Sequence, residues 1–252
     1  MRRRSVLLLV SGVLAVGGIV LPSIGQRQSS GDTRILSVEV NGGKPVVLGP
    51  TDRTTFDFAV TAEDKSGIRS VDHVGIWGSN YGVLRPTATT CQAKSKQISV
   101  CRGTATVDVS RRQVFDDMAG RWHVQATANA NDGDRFESDT AGTFSIQKAA
   151  AAVISGVLPI ARPGQAMQIE GQLTKPDWGS RLWVYNPGAV VQLLFRPANG
   201  SPWQRVATTR TDSHGSMSAE VKASGTGTYA WYYGGAFWSA PTMSQAAQVN
   251  VA

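Results

Sequence analysis

Asp212-Ser213-His214-Gly215 sets the three side-chain types of a serine hydrolase in consecutive positions. That chemistry needs an acid to orient an imidazole, an imidazole that reaches a hydroxyl, and an oxyanion hole beside them. Three adjacent residues cannot wrap onto one another in that way. The same residues suit a turn: aspartate at its start accepts backbone N–H groups, and glycine at its end takes positive φ. Met217 then opens an alternating run, so the quartet reads as a hairpin turn. His73 and His123 form no pair with metal-ligand spacing. There is no Gly-x-Ser-x-Gly elbow. Gly234-Gly235 follows aromatics on an extended run and opens no helix, which argues against a phosphate cradle. The expectation is a protein that is not an enzyme. A hydrolase with a dispersed carboxylate site is the contrary reading, because fold alone does not decide function.

Two other groups of residues offer binding chemistry. Asp132, Asp134, Glu137 and Asp139 crowd one inter-strand loop, with Glu63 and Asp64 in another. Calcium takes six to eight oxygens from such groups, so the four acids are candidate ligands. They lack EF-hand spacing, and a solvated turn around Asp132-Gly133 is the competing account. No other cofactor is expected. Trp178, Trp183, Tyr185 and Trp203 stand in or near loops, where flat aromatic faces can stack on sugars. Core packing competes with that role, and Trp122, Tyr229 and Trp231 sit at inward positions of their runs.

Export is read from the other end of the chain. Met1-Arg2-Arg3-Arg4 precedes an apolar run from Val6 to Leu21. A positive end followed by a short apolar block is a secretory signal. Cleavage is placed after Gly25, behind Ser23 and Ile24, with an uncleaved anchor as the alternative and the only expected route to a membrane. The formal charge is +7; loss of Arg2, Arg3 and Arg4, with no acid before residue 26, leaves +4. Arginines are scattered and no basic helix is visible, so nucleic acid is not an expected partner. A weakly cationic surface favours an anionic cell-wall polymer, or another envelope protein. Cys91 and Cys101 are the only cysteines. An isolated pair in an exported chain predicts a disulfide, worth about 2–3 kcal/mol for so short a loop.

The elements that position these residues are strands. Phe56, Phe58, Val60 and Ala62 alternate with polar neighbours, as do Ala105, Val107 and Val109. Trp122, Val124, Ala126 and Ala128 alternate with His123, Gln125 and Thr127, which are expected to face outward. Met167 and Ile169, then Val191, Leu193 and Phe195, Met217, Ala219 and Val221, and Tyr229, Trp231 and Tyr233 repeat the period of two. Only Arg111 to Ala119 has room for a helical turn. Gln26 to Gly31 is expected to be a linker. Lys148 to Ala152 is the expected domain boundary. The fold class is all-β: a signal peptide at 1–25, then tandem immunoglobulin-like antiparallel sandwiches at 32–148 and 153–252.

The strings VEVNGGKPVVLG, FAVTAEDKSGI and AGRWHVQATANANDGDRFESDTAGTFSIQK give the first half a resemblance to a secreted actinobacterial (streptomycete-type) domain of unknown function. The second half, with IEGQLTKPDWGSRLWVYNPGAVVQLLFRP, TDSHGSMSAEVKAS and GTYAWYYGG, resembles the immunoglobulin-like domain that follows it in that family. Some members are labelled calcium-binding; no catalytic residue carries over. The chain departs from the family where Ala246-Ala247-Gln248 replaces a Gly-Asp-Tyr. The reading is an extracellular, non-enzymatic protein that binds or builds at the cell envelope, with a carbohydrate- or cell-wall-binding module using Trp178, Trp183, Tyr185 and Trp203 as the alternative.

Overall fold

The computed structural model describes residues 27–252. The apolar N-terminal run and the cleavage point after Gly25 lie outside the described residues. Ten strands make the first two sheets: β1 (Arg27–Ser30), β2 (Arg34–Val40), β3 (Val46–Leu48), β4 (Arg53–Glu63), β5 (Ile68–Gly78), β6 (Val83–Leu84), β7 (Thr90–Ala93), β8 (Ile98–Asp108), β9 (Gly120–Ala130) and β10 (Arg135–Lys148). One sheet runs β2-β4-β8-β7. The other runs β1-β10-β9-β5-β6, with β3 added in parallel against the end of β10. Named in chain order from β2, these are the A-B-E-D and G-F-C sheets of an immunoglobulin-like sandwich.

The same order recurs in β11 (Ala151–Ser155), β12 (Ile160–Ala161), β13 (Ala166–Asp177), β14 (Leu182–Tyr185), β15 (Val190–Pro197), β16 (Gln204–Arg210), β17 (Ser216–Lys222), β18 (Gly227–Tyr233), β19 (Thr242–Met243) and β20 (Ala247–Val251). β11 and β17 flank β13 in one sheet, and β12-β20-β18-β15-β16 form the other. β12 again runs parallel to the last strand. β14 is an addition: it pairs antiparallel with the far end of β13, from Thr174↔Tyr185 to Asp177↔Leu182.

Alternation builds each core. Phe56, Phe58, Val60 and Ala62 of β4 face Trp122, Val124, Ala126 and Ala128 of β9, all buried. Met167, Ile169 and Leu173 of β13 pack with Val191, Leu193, Phe195, Tyr229 and Trp231 in the second. Glycines let the indoles lie against backbone: a Cβ on Gly78 or Gly82 would come within 2.7 Å of the Trp122 ring. Cys91 and Cys101 are register partners on β7 and β8 and are bonded.

Three local expectations need correction. The presumed linker forms β1, because Arg27 to Ser30 complete the backbone hydrogen bonds of the β10 edge from Ser138 to Arg135. Thr127 does not face water; it is buried between its cross-strand partners Asp72 and Glu137. His123 is half-buried, with its ring stacked on Trp77 at 4.4 Å. The segment Arg111 to Ala119 does make a single helical turn, the 3₁₀ turn Asp116–Met118.

Candidate functional site

The Asp212 quartet is the β16–β17 connection. Asp212 Oδ1 accepts the N–H groups of His214 and Ser216, both at 2.8 Å. These bonds hold its carboxyl below the usual aspartate range. Asp212 N–H donates to Ser216 O, Gly215 N–H donates to Asp212 O, and Gly215 has φ +69°. The acid is committed to its own backbone, so it does not orient the imidazole. His214 Nδ1 reaches only the neighbouring Ser213 hydroxyl, at 3.2 Å.

The acidic residues divide. Asp134 joins Asp64 and a residue that sequence reasoning passed over, Asp32; one carboxylate oxygen of each lies within 4.8 Å of the others. Asp32 was missed because Gly31-Asp32 reads as the end of a linker, whereas it is the turn from β1 to β2. Gly31 has φ +67°, and the Asp134 carboxylate occupies the place a side chain would take there. Asp132 and Glu137 are otherwise engaged: Asp132 Oδ1 accepts Asp134 N–H, and Glu137 pairs with Arg135. Asp139 is absent from the cluster; its backbone carbonyl accepts Trp77 Nε1.

The cluster behaves as a loop staple. Asp64 is buried; burial raises its pKa, but Ser66 and Thr33 donate to it and the balance falls below the ordinary value. Its stabilisation is therefore complete above the ordinary aspartate pKa and fades as pH falls through the lowered one. Lys65 Nζ neutralises Asp32 at 2.9 Å. Asn131 and Asp132 also bond the Ser66 loop, tying the β9–β10 turn to β4–β5. Since these oxygens already have donors, millimolar calcium followed by a chelator is expected to leave the melting temperature unchanged. A rise of several degrees with calcium, lost in Asp64→Asn, would show instead that the carboxylates take a cation.

The four candidate aromatics part company as well. Trp178 is fully buried and belongs to the core cluster of the first sandwich, although the β13–β14 hairpin that carries it belongs to the second. It is unavailable to a glycan; its local sequence could not reveal a core supplied by the other domain. Trp203 is half-buried under the Arg196 guanidinium, 5.0 Å from the ring centroid. Trp183 and Tyr185 alternate on β14 and so share one face, 46% and 47% exposed. Tyr185 packs edge-on to His214 at 5.8 Å. Leu182 beside them is 63% exposed. β14 carries no charge and, among the described residues, pairs only with β13, leaving its outer edge free.

No family model matches the chain, and no curated protein matches it. Among solved structures it is similar to fibronectin(III)-like modules of Clostridium thermocellum CbhA: 13% identity, TM-score 0.38, covering 85% of this chain and 93% of that one. It is also similar to three N-terminal domains of the bacteriophage RB49 outer capsid protein Hoc, at 9% identity and TM-score 0.32 over 87% and 71% of the two chains. The D00-D0 domain of intimin gives 12% identity and TM-score 0.29 over 84% and 98%. What the strand order itself establishes is an all-β chain of two tandem immunoglobulin-like sandwiches.

Proposed function

We propose that this protein is exported and acts at the cell envelope as a non-enzymatic binding module, with a cell-wall glycan as the ligand. The observation that carries the reading is the Trp183–Tyr185 pair on an uncharged, free edge strand. Alternation sets the two rings roughly 6.6 Å apart along the strand and turns both to the same side. Solvent-exposed aromatic faces next to free backbone N–H and C=O groups suit a ligand with apolar C–H faces and hydroxyls at its edges. The Cys91–Cys101 bond supports an oxidising compartment, since such bonds persist outside the reducing cytosol. The mild positive charge favours anionic wall polymers over neutral ones.

Sedimentation with purified cell-wall polysaccharide tests this. Wild type is expected to co-sediment, and Trp183→Ala with Tyr185→Ala to bind at least roughly tenfold more weakly, as for paired aromatic anchors. The melting temperature of the double variant should stay near wild type, because both side chains are half in water. Equal binding by both proteins would remove β14 from the ligand site. No binding by wild type would remove the glycan.

A further inference from the structure

The β13–β14 hairpin overshoots its own sandwich. Residues 166–172 of β13 pair with β17 and residues 170–174 with β11, as an immunoglobulin-like strand should, but residues 175–177 pair only with β14. The tip turns tightly: Ser180 N–H donates to Asp177 Oδ1, Arg181 N–H to Asp177 O, and Arg181 takes φ +64°. At that tip Trp178 enters the core cluster of the first sandwich. Its backbone N–H donates to Asp116 Oδ1 at 2.9 Å, in the 3₁₀ turn that also holds Trp122 through Met118 O. Asp116 pairs with Lys148, whose buried side chain lies over the Trp178 ring at 5.5 Å. Behind the hairpin, Lys148 exchanges backbone hydrogen bonds with Trp238 and Ala240 of the second sandwich.

The docked arrangement is incompletely satisfied. Six buried side-chain polar atoms lack a hydrogen-bond partner among the described residues. Two of them mark this hairpin, Trp178 Nε1 at its tip and Asn186 Nδ2 at its root, and a third, Ser239 Oγ, lies in the segment bridged to Lys148. Native structures bury such atoms rarely, because each gives up its water without replacement. Docking also carries Lys175 beside Lys148. Burial and that like charge push the Lys175 pKa down. Apolar insertion and the Lys175 ammonium over the Trp238 ring, 5.0 Å from its centroid, hold the hairpin in; unmet donors and the Lys148 charge, offset in part by Asp116 and Asp177, oppose it.

We infer that residues 174–185 are a releasable strap: docked, Trp178 fixes the two sandwiches as one rigid body; withdrawn, it leaves them hinged about Lys148–Ala151. The strap belongs to the junction and stands whether or not β14 binds glycan.

Hydrogen exchange and small-angle scattering on the purified protein test it. In wild type, the amides of Trp178 and Arg181 should exchange at least about tenfold faster than those of Val124 and Leu193, which open only with the cores. In Trp178→Ala, the scattering distance distribution should broaden and exchange at Asp116–Gly120 and Lys148 should rise, with β15 and β18 unchanged. Asp116→Ala leaves every apolar core side chain in place and should move both readouts in the same direction. Strap amides as slow as core amides would overturn the inference. So would an Asp116→Ala protein that behaves as wild type, even if Trp178→Ala fails to fold, since Trp178 would then be an ordinary core residue.

Discussion

Trp122→Ala is expected to lower the unfolding free energy by about 3–5 kcal/mol, the range for removing a fully buried aromatic. The indole is fully buried in the first core, and its Nε1 donates to Met118 O at 2.9 Å. Gly78 and Gly82 lie against the ring and carry no side chain of their own to occupy the space it leaves. The loss also unmoors the Asp116–Met118 turn, the docking point of the strap. A typical domain has about 5–15 kcal/mol in all, so a large share of the first sandwich's stability goes with one residue. Denaturant titration followed by far-ultraviolet circular dichroism gives the number. Arg121→Ala, on the exposed face of the same strand, should stay within about 0.5 kcal/mol and controls for strand propensity. Equal midpoints for the two variants would show that the core does not depend on the indole.

Gly215→Ala should cost about 2–3 kcal/mol, while His214→Ala next to it costs under about 0.5 kcal/mol. Two penalties combine at the glycine. Its φ of +69° is unfavourable for a residue with a Cβ, and that Cβ would lie 2.4 Å from Leu173 O. The carbonyl cannot step aside easily, because it already accepts the Asn186 N–H. His214 is exposed and contributes one edge contact to Tyr185. Thermal melts of the two variants separate a turn from a catalytic site: a His214→Ala protein that melts normally yet loses a measured activity would overturn the non-enzymatic reading.

The strand period was legible wherever one face meets a core and the other meets water. Phe56 and Phe58 show it plainly, and so do Met167 and Ile169. The Asp212 turn was legible too, because its bonds are local. Trp178 was not, because Pro-Asp-Trp-Gly-Ser describes a hairpin tip without saying which core the tip enters. Asp32 was equally hidden. It meets Asp134 only because β1 pairs with β10, and the polar run Arg27 to Ser30 has no buried face to betray a strand. The acids nearest in sequence, Asp132 to Asp139, were grouped by proximity along the chain, but Asp132 and Asp134 sit in the turn before β10 while Glu137 and Asp139 lie along the strand, which rises about 3.3 Å per residue away from it.

The pairing of β1 with β10 sets a timetable for synthesis. A polypeptide leaves the ribosome N-terminus first, and domains close as units once their last strand is available. Here the first described strand waits for one of the last strands of its sandwich, and the indole that completes that core arrives later still, within the second sandwich. Until Trp178 has emerged, the nascent first sandwich has a core with an unfilled position. A chain stalled between Lys148 and Trp178 should therefore be a good substrate for chaperones and proteases, and one released beyond Tyr185 a poor one.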